Sequence, residues 1–410
     1  MGFTLAEREL TLEQAEQRIH AELDSLGLRV DTRTLGQQIV AVHASASSSD
    51  QHHTARGSGK GYPRHARVGA LYEMLEHYLS DHLDTSDIHY VAPRYFSDTS
   101  LFTDDTALAL IAEQPNAITA CRQYTNVLKD TSFTYPVALC TPGYSRRTPI
   151  QDTTNYGALQ RYASNSGTAI GATYNEAVLH AANECIERDA VSLFLLEHFY
   201  YENHAPLRRV ARMSDHDELG RLWLDAEAEI GAEIVLVDIS TEFLPRTFLA
   251  FSAAPCTHPR VFGTGCSIDA RHGAWRALTE LVQLHLWSSE PELRDYLSNA
   301  QRHLTAFPRL LRCLRFDLHP LLNLCEQQTV VLPDARDERP LAEQISLLAE
   351  DLHRYGRTLG IAPLHQTALG TTLVNVVIPG LERFFVVSSG NVVIPQARGR
   401  RLERRHGVPA

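Results

Sequence analysis

No run of apolar residues in this 410-residue chain approaches the roughly 20 needed to cross a bilayer as a helix, so no such span is expected. The opening stretch, MGFTLAERELTLEQAEQRIHAEL, has no basic segment followed by an apolar one, which argues against export and for a cytoplasmic protein. The CxxC spacing of structural zinc sites never occurs. The seven cysteines, Cys121, Cys140, Cys185, Cys256, Cys266, Cys313 and Cys325, are scattered and odd in number, and read as reduced thiols rather than a disulfide framework. An excess of positive charge is also missing: 38 Lys and Arg face 49 Asp and Glu, a net charge of −11 that excludes a general nucleic-acid binder. No internal repeat is visible. What remains, 44% hydrophobic and 21% charged residues, is the composition of an ordinary globular protein, long enough for two or three domains or one large composite one.

The acids are where the sequence becomes specific. Over Thr173–Asp189, TYNEAVLHAANECIERD, a helical period of about 100° per residue places Glu176, Glu184 and Glu187 within an arc of roughly 80°. Ala177, Val178, Leu179, Ala181, Ala182, Cys185 and Ile186 fall on the other side, so burial of that side would turn the acids into a cleft. Thr173 with Glu176 three residues on also reads as a capping box. Two further helices carry charged sets: RHARVGALYEMLEHYLSDHL, with Glu73 and Glu76 a turn apart, and GAWRALTELVQLHLW, with Arg276, Glu280 and Gln283 at spacings of four and three. Singly, each set fits a solvated helix face. Together, five or six carboxylates in one place require cations between them, and ligands that are all oxygen select Mg2+ over zinc or copper.

Around these helices the pattern predicts an amphipathic helix over residues 10–26, two strands over 28–47, and a flexible polar loop over Ser47–Gly61, SSSDQHHTARGSGKG. From Pro93 to Thr148 the chain reads as loop-rich, with a helix near 105–113 and strands near 124–127 and 136–139. Ala163–Ala172 reads as a small-residue loop, Glu233–Ile239 and Arg246–Ala253 as adjacent strands, and Pro291–Tyr355 as a mainly helical surface elaboration. The arginine-rich end, QARGRRLERRHGVPA, reads as a solvated basic tail or one that faces peptide or phosphate.

The chain resembles the YcaO proteins, which use ATP and Mg2+ to activate backbone amides of peptides. The matching stretches are GKG at Gly59–Gly61 followed by ALYEMLEHY, then GATYNEAVLHAANECIERDA, RALTELVQ, and VVIPGLE at Val376–Glu382. They occur in family order over residues 57–382. Ala70, His77 and Ala172 stand where the family usually has Ser, Arg and Asn. The resemblance implies an α+β fold in a single large composite domain, with the ATP and Mg2+ site between mixed sheet and helices. It divides the chain into a helix-and-strand lead-in (1–56), a catalytic region (57–395, with the helical elaboration at about 290–355) and a basic tail (396–410).

Carried over position by position, the resemblance places ATP on Lys60, Glu73, Glu176, Glu184, Arg188, Arg276 and Gln283, and Mg2+ on Glu73, Glu76, Glu176, Glu184, Glu187 and Glu280. It implies O-phosphorylation of an amide oxygen after a nucleophile adds to the amide carbon, giving an azoline by cyclodehydration or a thioamide. The general base is not identified; His65, His77 and His180 are candidates by location. The expected partners are a ribosomally made precursor peptide and a leader-binding protein, of ubiquitin-activating-like or ocin type for azolines and of TfuA type for thioamides. Neither nucleic acid nor membrane is among them, and a homodimer is left open. Two other readings remain: a YcaO-like scaffold without turnover, and an accessory factor for ribosomal-protein methylthiolation.

Overall fold

The computed structural model describes residues 6–47, 54–81, 87–254, 261–288 and 290–403, the side chains at 292 and 293 excepted. Helix α1 (Leu12–Ser25) starts from a capping box in which the Thr11 hydroxyl accepts from the Gln14 amide and the Gln14 side chain accepts from the Thr11 amide. Strands β1 (Arg29–Leu35), β2 (Val40–Ser47) and β3 (Thr54–Gly61) follow as an antiparallel sheet in that order, and lead to helix α2 (Pro63–Asp81). The polar loop expected over 47–61 is thus a strand from Thr54 onward, while 48–53 lie outside the described residues. Glycine misleads there because it was read as a turn former. A Cβ on Gly59 would stand 1.8 Å from the Ala66 carbonyl oxygen and one on Gly57 2.1 Å from the Met74 amide nitrogen, so the missing side chains are what let α2 lie flat on β3.

The middle of the chain supplies β4 (Ile88–Val91), α3 (Arg94–Asp98), α4 (Thr106–Ala112), β5 (Thr119–Asn126), β6 (Thr131–Pro136), α5 (Val137–Cys140), β7 (Thr168–Gly171) and α6 (Tyr174–Leu195). The strand expected near 136–139 ends at Pro136 and gives way to a helical turn, and the loop expected over 163–172 closes on β7. Next come β8 (Leu207–Val210), α7 (Glu218–Ile230), β9 (Ile234–Asp238), β10 (Arg246–Ser252), β11 (Gly263–Ser267) and α8 (Ala270–Trp287). The last third holds α9 (Pro291–His303), α10 (Pro308–Arg315), α11 (Leu321–Leu324), β12 (Gln327–Val330), α12 (Leu341–Arg354), β13 (Gly360–Gln366), β14 (Thr372–Val377) and α13 (Ala397–Glu403).

Besides β1–β3, two sheets form, one ordered β4-β5-β13-β14-β7 with β6 on β5, the other β11-β10-β9-β8-β12. Residues 291–355 are therefore more than a surface elaboration. Strand β12 extends the third sheet in parallel with β8, and α12 buries Leu341, Ile345, Leu348, Ala349 and Leu352 in the cluster that holds the apolar side of α6. The tail also differs from expectation. Arg398 is buried, with Nε 2.8 Å from Asp189 Oδ1 and Nη1 2.6 Å from Glu242 Oε1, so the buried charges of Asp189 and Arg398 offset each other. Arg404 and Arg405 lie outside the described residues.

The fold is a mixed α and β single domain, and its organisation is set by three edges. Strands β3, β7 and β11 each end their sheet, and each runs directly into a helix, α2, α6 and α8. Each helix packs on its own strand and also touches the edge strand of another unit: α2 on β7, α6 on β11, α8 on β3. The three helices thereby cover sheet edges that would otherwise be left open, and bring the charged sets on α2, α6 and α8 to a common centre.

Candidate nucleotide and metal site

At that centre the Lys60 ammonium, on β3, is paired with Glu280 on α8, both side chains about one-fifth exposed. Thr264, on β11, donates its hydroxyl to Glu187 Oε1 at 2.7 Å and to Glu280 Oε1 at 3.3 Å, which ties α6 to α8. Arg188 Nε lies 3.6 Å from Glu184 Oε1 one turn back on α6, with its guanidinium over the Phe385 ring at 5.2 Å. On α2, Glu73 accepts from Ser58 Oγ at 3.3 Å, and Glu76 from the Ile170 amide of β7 at 3.1 Å. Arg276 Nη1 meets His180 Nδ1 at 2.9 Å across the groove.

The electrostatics link the same residues. Burial pushes the Glu76 carboxyl well above its ordinary range, and the neighbouring charges of Glu184 and Glu73 push it further. Glu184 is raised first by burial, which outweighs the pull of Arg188. Glu73 is raised by burial against the charges of His77 and Lys60. Burial acts on Glu280 in the same direction, yet Lys60, Arg188 and Arg276 overcome it and hold that carboxyl below its usual value. His180 and His272 are held neutral, by burial first and then by the Arg276 and Arg8 guanidiniums. A neutral His180 can accept the hydrogen bond from Arg276, which fits the observed contact.

Of the residues singled out from sequence, Lys60, Glu73, Glu76, Glu184, Glu187, Arg188, Arg276 and Glu280 come together; Gln283 is buried one turn beyond Glu280 on α8. Glu176 does not join them. It sits eight residues before Glu184, about 12 Å along the helix, and its Oε1 accepts the backbone amides of Glu9 at 2.8 Å and Leu10 at 3.2 Å. The capping box expected at Thr173 is correspondingly half formed: Thr173 Oγ1 accepts from the Glu176 amide, while the Glu176 carboxylate is turned to the N-terminal segment. Ala70 and Ala172 are both buried, the latter packed with Ala15 and Val68, and His77 Nδ1 bonds the Arg56 carbonyl at 2.5 Å.

Sequence reasoning missed Ser58, Thr264 and Glu7. It also overlooked a compositional signal: Lys60 is one of only two lysines among 38 basic residues. A chain that uses arginine almost everywhere keeps a compact, mobile point charge at this position.

The model of a YcaO cyclodehydratase family, described as ATP- and Mg2+-binding, matches residues 58–382. The chain belongs to the YcaO family. Its cofactors are accordingly ATP and Mg2+. Similar solved structures include the YcaO of Methanopyrus kandleri bound with AMPPCP and Mg2+ (19% identical, TM-score 0.64, 96% of each chain covered). A heterocyclase in complex with substrate and cofactor is 16% identical with a TM-score of 0.65, over 94% of this chain and 55% of that one. The E. coli microcin synthetase McbBCD complex matches at 11% identity and a TM-score of 0.56, over 87% of this chain and 88% of that one. These likenesses establish the YcaO fold. A curated relative, an uncharacterized protein in the tfuA 3' region of Rhizobium leguminosarum bv. trifolii, is 28% identical over 235 residues, 53% of this YcaO chain. The chain spans about half the length of that relative, 52%.

The residues present fit the YcaO cofactors. Glu187 Oε2 and Arg276 Nε are buried without a hydrogen-bond partner among the described residues, so the groove holds both an acceptor and a donor open to an outside group. Among the described residues no three His, Cys, Asp or Glu side chains stand close enough to enclose an ion by themselves. Phosphate oxygens and water would have to complete the shell of any Mg2+ held by these carboxylates. A cleft of about 740 Å3 lies elsewhere, at the start of α8 between Arg246, Asp269, Arg336 and Arg339. Each of those arginines is already paired with a carboxylate, Asp238, Glu218 and Asp337 in turn, so the groove with its unpaired atoms is the better candidate.

Proposed function

We propose that this YcaO protein is an ATP-dependent enzyme that activates a backbone amide of a ribosomally made precursor peptide, with an azoline or a thioamide as product. The convergence of carboxylates from three separate strand–helix units around Lys60 carries this reading. In it, Glu73, Glu76, Glu184, Glu187 and Glu280 hold Mg2+, and Lys60, Arg188, Arg276 and Gln283, with Glu73 and Glu184, hold the nucleotide. Bound Mg·ATP supplies the phosphoryl group that makes the amide oxygen a leaving group. The chain's own part is positioning and charge neutralisation. Lys60, paired here with Glu280, and Arg188, packed on the Phe385 ring, would neutralise phosphate charge, while Thr264 fixes Glu187 and Glu280 relative to each other.

Of the two products, the thioamide is favoured by the relative encoded in a tfuA 3' region, since a TfuA-type protein is the partner expected for that branch. Calorimetric titration with Mg·ATP, followed by phosphate release with and without the co-expressed precursor peptide, tests the assignment. Turnover that needs peptide and is lost in Glu184→Gln and Glu280→Gln is the expected result. Tight Mg·ATP binding without peptide-dependent release would instead favour the scaffold reading. Mass spectrometry of the peptide separates the products: loss of one water per site for a ring, exchange of oxygen for sulfur for a thioamide.

A further inference from the structure

The N-terminal segment 6–10 crosses the end of the groove between α6 and α8, and it is held there by more than packing. Glu176 Oε1 takes the amides of Glu9 and Leu10. The Glu9 carboxylate in turn takes the Thr173 hydroxyl and Asn175 Nδ2, the latter at 2.9 Å, so α6 and the segment grip each other in both directions. Two residues earlier, Glu7 adopts a left-handed backbone, φ 60°, and turns its side chain inward. It is buried, with Oε1 accepting from Asn183 Nδ2 at 2.9 Å and Ser267 Oγ at 2.5 Å, and Oε2 3.8 Å from His272 Nε2. Beyond the segment, Arg18 Nη1 bonds the Ala172 carbonyl at 2.5 Å and Tyr72 Oη the Ala15 carbonyl at 3.1 Å, which extends the same attachment into α1 and α2.

We propose that Glu176 is a positioning residue, a clamp that fixes segment 6–10 as one wall of the nucleotide groove and seats Glu7 between α6 and α8, and that it is not a ligand of Mg2+. The inference rests on the nucleotide reading of the groove. What the clamp needs from Glu176 is an acceptor oxygen, which glutamine retains; what a metal needs is the negative charge, which glutamine lacks. The two roles therefore part at one conservative substitution.

The experiment uses the full chain and compares wild type, Glu176→Gln, Glu176→Ala and, as the metal-site reference, Glu184→Gln. Two quantities are read: amide hydrogen exchange over residues 6–10, and the Mg2+ concentration that half-saturates ATP binding. Glu176→Gln is expected to keep both within about twofold of wild type, while Glu176→Ala exchanges segment 6–10 at least roughly tenfold faster because the local opening costs less. Glu184→Gln is expected to raise the half-saturating Mg2+ about 10- to 100-fold with segment 6–10 still protected. A rise in the Mg2+ requirement of Glu176→Gln that matches Glu184→Gln would overturn the proposal, as would unchanged protection in Glu176→Ala. If wild type binds no Mg·ATP, the nucleotide reading has failed, and the exchange data still decide whether Glu176 clamps the segment.

Discussion

Replacing Gly59 by alanine tests whether α2 must lie flat on β3 for the site to exist. The added Cβ would stand 1.8 Å from the Ala66 carbonyl oxygen and 2.6 Å from the Ala70 amide nitrogen, and both obstacles are helix backbone. A carbon and a carbonyl oxygen rest at about 3.4 Å, so α2 has to retreat by about 1.6 Å. Overpacking a core typically costs about 1–3 kcal/mol, and with no flexible side chain to swing aside the upper figure applies. An unfolding entropy of about 2.1 cal/mol/K per residue gives roughly 0.9 kcal/mol/K for the whole chain, so about 3 kcal/mol lowers Tm by only some 3 °C.

The site suffers more, because the retreat carries Glu73 and Glu76 away from Lys60 and Glu184. A loss of about 10- to 100-fold in Mg·ATP affinity is expected, of the size seen when the supports of a metal ligand are disturbed. Calorimetry for Tm and titration calorimetry for Mg·ATP read the two effects separately. Gly69→Ala is the control. It lies in the same helix, where the new Cβ meets only the Gly59 Cα at 3.8 Å, and it should gain up to about 1 kcal/mol from helix propensity. Gly59→Ala with Tm within about one degree of wild type and affinity within about threefold, both inside the margins just worked out, would refute the close seating of α2.

Three further outcomes are expected. Saturating Mg·ATP at about 100 times Kd should add about 2.7 kcal/mol of stability, a rise of roughly 3 °C in Tm that a chelator reverses. Arg398→Ala should cost about 3–5 kcal/mol, seen as a lowered denaturation midpoint, because Asp189 is left as an unpaired buried carboxylate. Glu382 accepts the amides of Arg383, Gln396 and Gly399, and burial nevertheless raises its carboxyl to about 7. Between the unfolded value near 4.5 and about 7 the folded chain keeps a proton that the unfolded chain has lost, so this residue makes stability fall as pH rises through that window and level off above it. The span amounts to roughly 3 kcal/mol, and Glu382→Gln should flatten the dependence of Tm on pH across the same window.

Much of the site was legible because helical periodicity reports directly which side chains share a face, and the acids of α2, α6 and α8 share one each. The same reasoning placed Glu176 with Glu184 and Glu187, and was right about the face but blind to distance along the axis. Nothing in the spacing of α6 reveals that residues 6–10 reach across to it. Strands β3, β7 and β11 were read as loops or left unassigned for a related reason. Their glycines are selected by helices that lie on them, a contact between elements that composition registers only as a turn signal. Arg398 failed in the same way: a run of arginines looks solvated until the carboxylate it neutralises, 209 positions earlier in the chain, is known.

The pairing of Lys60 with Glu280 also has a bearing on how the protein is made. These partners are separated by 220 positions, and the strands that carry the three helices belong to three different sheets. A nascent chain halted before α8 leaves the ribosome therefore holds Lys60 without its Glu280 partner, and the acids on α2 and α6 without the Arg276 guanidinium of α8. Nucleotide and magnesium present during synthesis would act on the last stage of that assembly, favouring the closure of β11 and α8 onto the part already folded.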